Sequence, residues 1–221
     1  MLVLKCPNNK EQTLKRLTTC IKEKESKGDI CIKTIYKTLT YTDCTEYNNI
    51  DIKTDGFVSQ NNMNYESGAY FICHKSKKES YEERMIINLR SQEDSLKIAN
   101  SLKESDITLS VKFLACSKKD PFTRNKCDKV VIYYNKINRE KEYETILNSG
   151  VNADKFLNDF SAFYDIYAND TGKIIYVGIA PETNPNKSFS YQNAECIAEG
   201  IKKGIKDAKE LFNYWKNKHA G

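Results

Sequence analysis

The sequence predicts an α+β fold: an antiparallel sheet built of successive hairpins, helices packed on one face, and a long amphipathic helix toward the C-terminal end. Three observations carry this. From residue 69 onward, strand-like segments come in pairs before each helical stretch, an order that favours an antiparallel sheet over a doubly wound parallel one. Between 194 and 215, Ala194, Ile197, Ile201, Ile205, Ala208, Phe212 and Trp215 recur at three- and four-residue steps. Eight cysteines, Cys6, Cys20, Cys31, Cys44, Cys73, Cys116, Cys127 and Cys196, are scattered with no close pair, which reads as disulfide bracing rather than a metal site.

The first element is helical. Asn8 or Asn9 caps it, Glu11 lies in its first turn, and Leu14, Leu17 and Ile21 follow helical spacing until Gly28. Residues 31–41 alternate, with Ile32, Thr34, Tyr36, Thr38 and Thr40 on one side, and predict a strand. Ile50 to Lys53 reads as a weaker strand, and 59–67 as a polar loop. Strands follow over 69–74 and 85–89. Ser91 then opens a helix, with Asp94 three residues on and Leu96, Ala99 and Leu102 on its buried face. The order repeats: a strand over 107–116, a basic loop, a strand over 130–134, and helical material between 140 and 160. A third pair, 163–168 and 173–179, flanks the turn Asn169-Asp170-Thr171-Gly172. Gly200 and Gly204 share a face of the last helix and predict a close approach to the sheet.

At 221 residues the chain is long enough to bury a core as a single domain, 1–221. A division into a small N-terminal module, 1–58, and a remainder, 68–221, is the alternative. The expected disulfides reinforce that core. Cys116 with Cys127 clamps one loop, Cys31 pairs with Cys44 across a strand and its turn, and Cys6 meets Cys20 if the chain folds back along its first helix. Disulfides imply a secreted or cell-surface protein; a cytoplasmic one follows if Met1 is the native start. The sequons at Asn169 and Asn186 agree with a secreted glycoprotein.

Catalytic signatures are sparse. Histidine occurs only at 74 and 219, and Cys73 and His74 are strand neighbours that point to opposite faces. There is no G-x-S-x-G elbow and no glycine-rich phosphate loop. The carboxylates Glu82, Glu83, Asp154, Asp159, Asp165 and Asp170 have no spacing that forces two together. No cofactor and no metal is expected.

The net charge of +5 comes mostly from lysine, which tilts against nucleic acid as a partner, because arginine is the bidentate phosphate reader. No apolar run is long enough for a membrane span. The basic loops stand out: Lys75, Lys77 and Lys78 follow one strand, and Lys118, Lys119, Phe122, Arg124 and Lys126 lie in the next hairpin's loop. If the units are arranged alike, both loops leave the same edge of the sheet and present an aromatic among cations to an extracellular protein or an acidic glycan. The expectation is a secreted, non-catalytic binding protein: an adhesin, a decoy or an inhibitor. The competing reading is a small secreted hydrolase with Asp/Glu chemistry. A weaker third is a pocket for a small apolar ligand beneath the terminal helix.

Overall fold

A computed structural model describes residues 1–6, 10–41, 47, 56–59, 69–76, 81–116, 125–170, 172, 174–184 and 187–219. Within these, the chain runs β1 (Leu2–Cys6), α1 (Lys10–Lys27), α2 (Ile32–Thr40), β2 (Val58–Ser59), β3 (Ala69–His74), β4 (Glu83–Leu89), α3 (Gln92–Glu104), β5 (Ser110–Ala115) and β6 (Val130–Tyr134). It continues with α4 (Arg139–Leu147), β7 (Phe156–Leu157), β8 (Asp165–Asn169), β9 (Val177–Pro181), α5 (Phe189–Lys202) and α6 (Ala208–His219). The strands form one antiparallel sheet in the order β1-β8-β9-β4-β6-β5-β3-β2, with β7 paired to β4. The α+β class and the antiparallel sheet agree with the sequence.

Helices cover both faces of the sheet, not one. The strand pleat shows why. On β4, Ile86 packs with residues of α1, α2, α5 and α6, while Met85, Ile87 and Leu89 pack with α3 and α4. On β6, Val131 and Tyr133 face the first set; Val130, Ile132 and Tyr134 face the second. Central strands that are apolar on both sides need a helical layer on each.

Pairing also departs from successive hairpins. β5–β6 and β8–β9 are adjacent as expected. β3 does not pair with β4: it pairs with β5, Ala69 opposite Ala115 and His74 opposite Ser110, while β4 lies between β6 and β9.

Residues 31–41 hold a helix, not a strand. Ile32, Ile35, Tyr36 and Leu39 are spaced three and four apart, so the same residues that alternate also form a helical stripe. Ile35 and Leu39 are fully buried on it. The Leu39 carbonyl, at the end of α2, accepts from Arg16 Nη1 at 2.8 Å and from the Ala162 amide at 3.1 Å. Tertiary contacts thereby override the β propensity of this stretch.

The terminal stripe is two helices. Gly204, at φ +88°, ends α5 in the left-handed region, its amide donating to Ile201 O at 3.1 Å, and the chain turns back into α6. Gly200 serves the close approach of α6 rather than of the sheet: a Cβ there would lie 2.6 Å from Leu211 Cδ1 and 3.0 Å from Tyr214 Cδ1. Trp215 seals the joint, with Nε1 donating to Asn193 Oδ1 at 2.6 Å. The Ser91 cap of α3 forms as expected, its Oγ accepting from the Asp94 amide at 3.0 Å.

Among the described residues the disulfide framework is not formed. Cys20, Cys31, Cys73, Cys116, Cys127 and Cys196 are all thiols. Cys20, Cys127 and Cys196 are buried as small apolar groups in the core under α1 and α5, whereas Cys116 packs in a separate cluster with Tyr47 and Leu114. Cys31 stands exposed before α2. The Cys6 side chain and Cys44 lie outside the described residues, as do Ile50 to Lys53 and the loop over 60–67. Burial also argues against glycosylation at Asn169. The residue is 7% exposed on β8, and its Oδ1 accepts from Tyr143 Oη at 3.0 Å. Asn186 lies outside the described residues.

Candidate functional site

The predicted basic surface is divided by the strand directions. β3 and β5 are antiparallel neighbours, so the loop after β3 and the loop after β5 leave opposite ends of the sheet. Lys75 is committed locally: its Nζ donates to Leu102 O at 3.2 Å and to Ser105 O, capping the C-terminal end of α3. Lys77, Lys78, Lys118, Lys119, Phe122 and Arg124 lie outside the described residues. Lys126 is described, and it belongs to a larger arrangement.

That arrangement crosses the sheet on the α1/α5 side. Alternation puts Arg84 of β4, Tyr133 of β6, Lys112 of β5 and Tyr70 of β3 on one face, because Arg84 pairs with Tyr133, and Lys112 lies between the Val131 and Ile72 positions. Arg84 is held between aromatic faces, 4.5 Å from the Phe189 centroid and 5.3 Å from that of Tyr133, and Glu182 accepts from its Nη2. Lys112 Nζ lies 5.7 Å from the Tyr133 centroid and 4.7 Å from that of Tyr70. Lys126 Nζ approaches the same Tyr70 ring at 5.0 Å. Cations and rings thus alternate from the end of β9 to the outer strands.

The supports beneath are fixed. Tyr70 Oη donates to Asp128 O at 3.1 Å. Burial and the nearby Asp128 charge push the Tyr70 phenol well above its ordinary pKa, so it stays neutral. Lys129 is fully buried, its Nζ donating to Lys126 O at 2.5 Å and lying 4.4 Å from the Tyr47 centroid. Tyr47 Oη in turn donates to Leu114 O at 2.6 Å.

The cations differ in what neutralises them. Arg84 has Glu182. Arg139, on the other side of the sheet, has Glu83, with Nη2 at 2.5 Å and Nε at 3.0 Å from the two carboxylate oxygens. Lys112 and Lys126, both half-buried, have no carboxylate within ion-pair distance among the described residues. Lys112 and Tyr70 carry no motif in the sequence. Only the β3–β5 register, which places Tyr70 opposite Leu114 and Ile72 opposite Lys112, brings them together.

Next to this row, His74 Nδ1 lies 3.1 Å from both Tyr81 Oη and Ser110 Oγ, and Tyr81 stacks on Tyr133 at 4.9 Å between centroids. Ser110 is fully buried and donates to Cys73 O at 3.1 Å, so its hydroxyl is a structural donor rather than a nucleophile.

Several carboxylates have their own partners. Glu83 is clamped by Arg139 and Tyr134, Glu182 by Arg84, and Asp159 by Arg16. Glu142 is fully buried, accepts from Thr108 Oγ1 at 2.8 Å, and is raised to about 7 by that burial. Among the described residues, no group of three or more His, Cys, Asp or Glu is placed to hold a metal ion, and no helix is long and apolar enough to cross a membrane. A cavity of about 410 Å³ opens between the ends of α1 and α5. Ile21 and Ile201 form its floor, and Lys24, Glu25 and Lys206 its rim.

No protein-family model and no curated protein matches the chain. Among solved structures, the chain is similar in fold to the effector protein from Pseudomonas syringae pv. syringae strain 61, with a TM-score of 0.58 and 12% sequence identity over 93% of this chain and 91% of that one.

Proposed function

We propose that the chain is a non-catalytic binding protein, one α+β domain that recognises an acidic segment of another protein through Tyr70, Lys112 and Lys126. One observation carries the reading: these two lysines share a tyrosine ring and have no carboxylate within ion-pair distance among the described residues, while Arg84 in the same row is already neutralised by Glu182. Two half-buried ammonium groups with no ion-pair partner among the described residues carry a desolvation cost, and an incoming carboxylate lowers it. Lysine, a compact point charge, suits carboxylates without the bidentate geometry that phosphate readers take from arginine.

The neighbour in fold is a bacterial effector protein. Carried to this chain, that role puts the partner outside the cell that makes it. Reduced cysteines at six positions suit a reducing compartment as the place of action. The role is then that of a decoy or an inhibitor rather than of an extracellular adhesin.

The test is fluorescence anisotropy with a labelled glutamate hexapeptide at low and at high salt. Binding that weakens with salt and falls about tenfold in Lys112→Glu supports the reading. Wild-type protein that ignores the peptide at low salt overturns it.

A further inference from the structure

The same cluster indicates how many charges its ligand carries. This step rests on the acidic-segment reading and sharpens it. Along the row, Arg84 is paired with Glu182, and Asp128 lies close enough to Tyr70 to raise its phenol by charge. Lys112 and Lys126, which have no carboxylate within ion-pair distance among the described residues, share one ring. Their Nζ atoms lie 4.7 and 5.0 Å from the Tyr70 centroid. The two ammonium groups are therefore at most roughly 10 Å apart, a gap spanned by side chains two or three residues apart on an extended segment at about 3.3 Å per residue.

We infer that the site takes two carboxylates of one segment at once, one on Lys112 and one on Lys126, with the segment crossing the Tyr70 ring between them. Tyr70 supplies apolar contact area at low entropic cost. Its hydroxyl, donating to Asp128 O, fixes the ring in place for both.

The experiment uses labelled extended peptides with one aspartate, or with two aspartates separated by one, two or six residues, titrated against the full chain. The second contact is intramolecular once the first has formed, so closely spaced pairs bind at least about tenfold more tightly than the single-aspartate peptide. Lys112→Gln and Lys126→Gln each erase that advantage, so that a two-aspartate peptide binds either variant no more tightly than a single-aspartate peptide does. Both are neutral changes at half-buried positions, and a denaturation midpoint equal to wild type shows that the fold is kept.

Equal affinity for one and two aspartates, with both variants weakened, overturns the two-carboxylate inference and leaves the acidic-segment reading standing. No peptide binding, with tight binding of a sulfated glycan fragment, overturns the inference and that reading together.

Discussion

Arg84 and Glu182 form an ion pair whose side chains are 6% and 0% exposed, the most enclosed pair among the described residues. It joins β4 to the end of β9, and Phe189 of α5 lies over its guanidinium. Removing one partner strands the other charge in the core. Glu182→Gln is expected to destabilise the protein by about 3–5 kcal/mol, the cost of breaking a buried pair, as read by urea denaturation. A loss below about 1 kcal/mol would show that the pair is wet.

Gly200 and Gly204 are necessary for different reasons. At Gly204 the positive φ strains any L side chain, so Gly204→Ala is expected to cost about 1 kcal/mol. At Gly200 a methyl meets Leu211, itself fully buried. Overpacking of about 1–3 kcal/mol outweighs the helix-propensity gain of about 1 kcal/mol. Gly200→Ala should therefore also lower the melting temperature. A rise would show that α6 is loosely seated.

Glu142 sets a pH dependence. Its carboxyl is raised from an ordinary 4.5 to about 7 by burial. Between those values the native chain holds a proton that the unfolded chain has lost. Stability is therefore fully present below the window and falls as pH rises through it, by up to about 3 kcal/mol. Glu142→Gln is expected to flatten this fall and to be more stable than wild type above pH 7. Denaturation midpoints across that range check it.

Thiol chemistry separates the cysteines. Cys31 is exposed, and the Thr34 hydroxyl, 3.2 Å from its Sγ, holds its thiol below the ordinary range. Burial raises Cys20 to about 12 and raises Cys127 further. In an aromatic disulfide assay on native protein, Cys31→Ser is expected to remove a fast-reacting thiol, while Cys20 and Cys127 react only after unfolding. Wild-type protein lacking thiols under denaturing conditions would restore the disulfide reading.

Much of the fold was legible because its elements have one periodicity each. β3 and β6 fall where alternation and apolar content put them, and α3 begins at the residue whose hydroxyl caps it. Misreadings came where one pattern served two structures. Ile32, Ile35, Tyr36 and Leu39 fit a strand and a helix equally until α5 packs against them. The stripe from Ala194 to Trp215 runs through Gly204 without a break in spacing, so the reversal into α6 is invisible to periodicity. β1 is too short to announce itself, and forms because Leu2 to Cys6 finds the edge of β8.

The candidate site was half legible. Lys126 stood in a basic loop, but its importance lies with Tyr70 and Lys112, which are ordinary strand residues until the register is known. The expectation that both basic loops share an edge failed on strand direction alone. The even cysteine count misled because burial, not crosslinking, accounts for four of the six described thiols.

The most direct measurement is the affinity of a short acidic peptide for wild-type protein and for Lys112→Glu at low salt. Measurable binding is expected, lowered about tenfold by the reversal and abolished by salt in both proteins. Identical affinities in the two proteins would contradict it, by showing that the lysine beside Tyr70 contacts no partner.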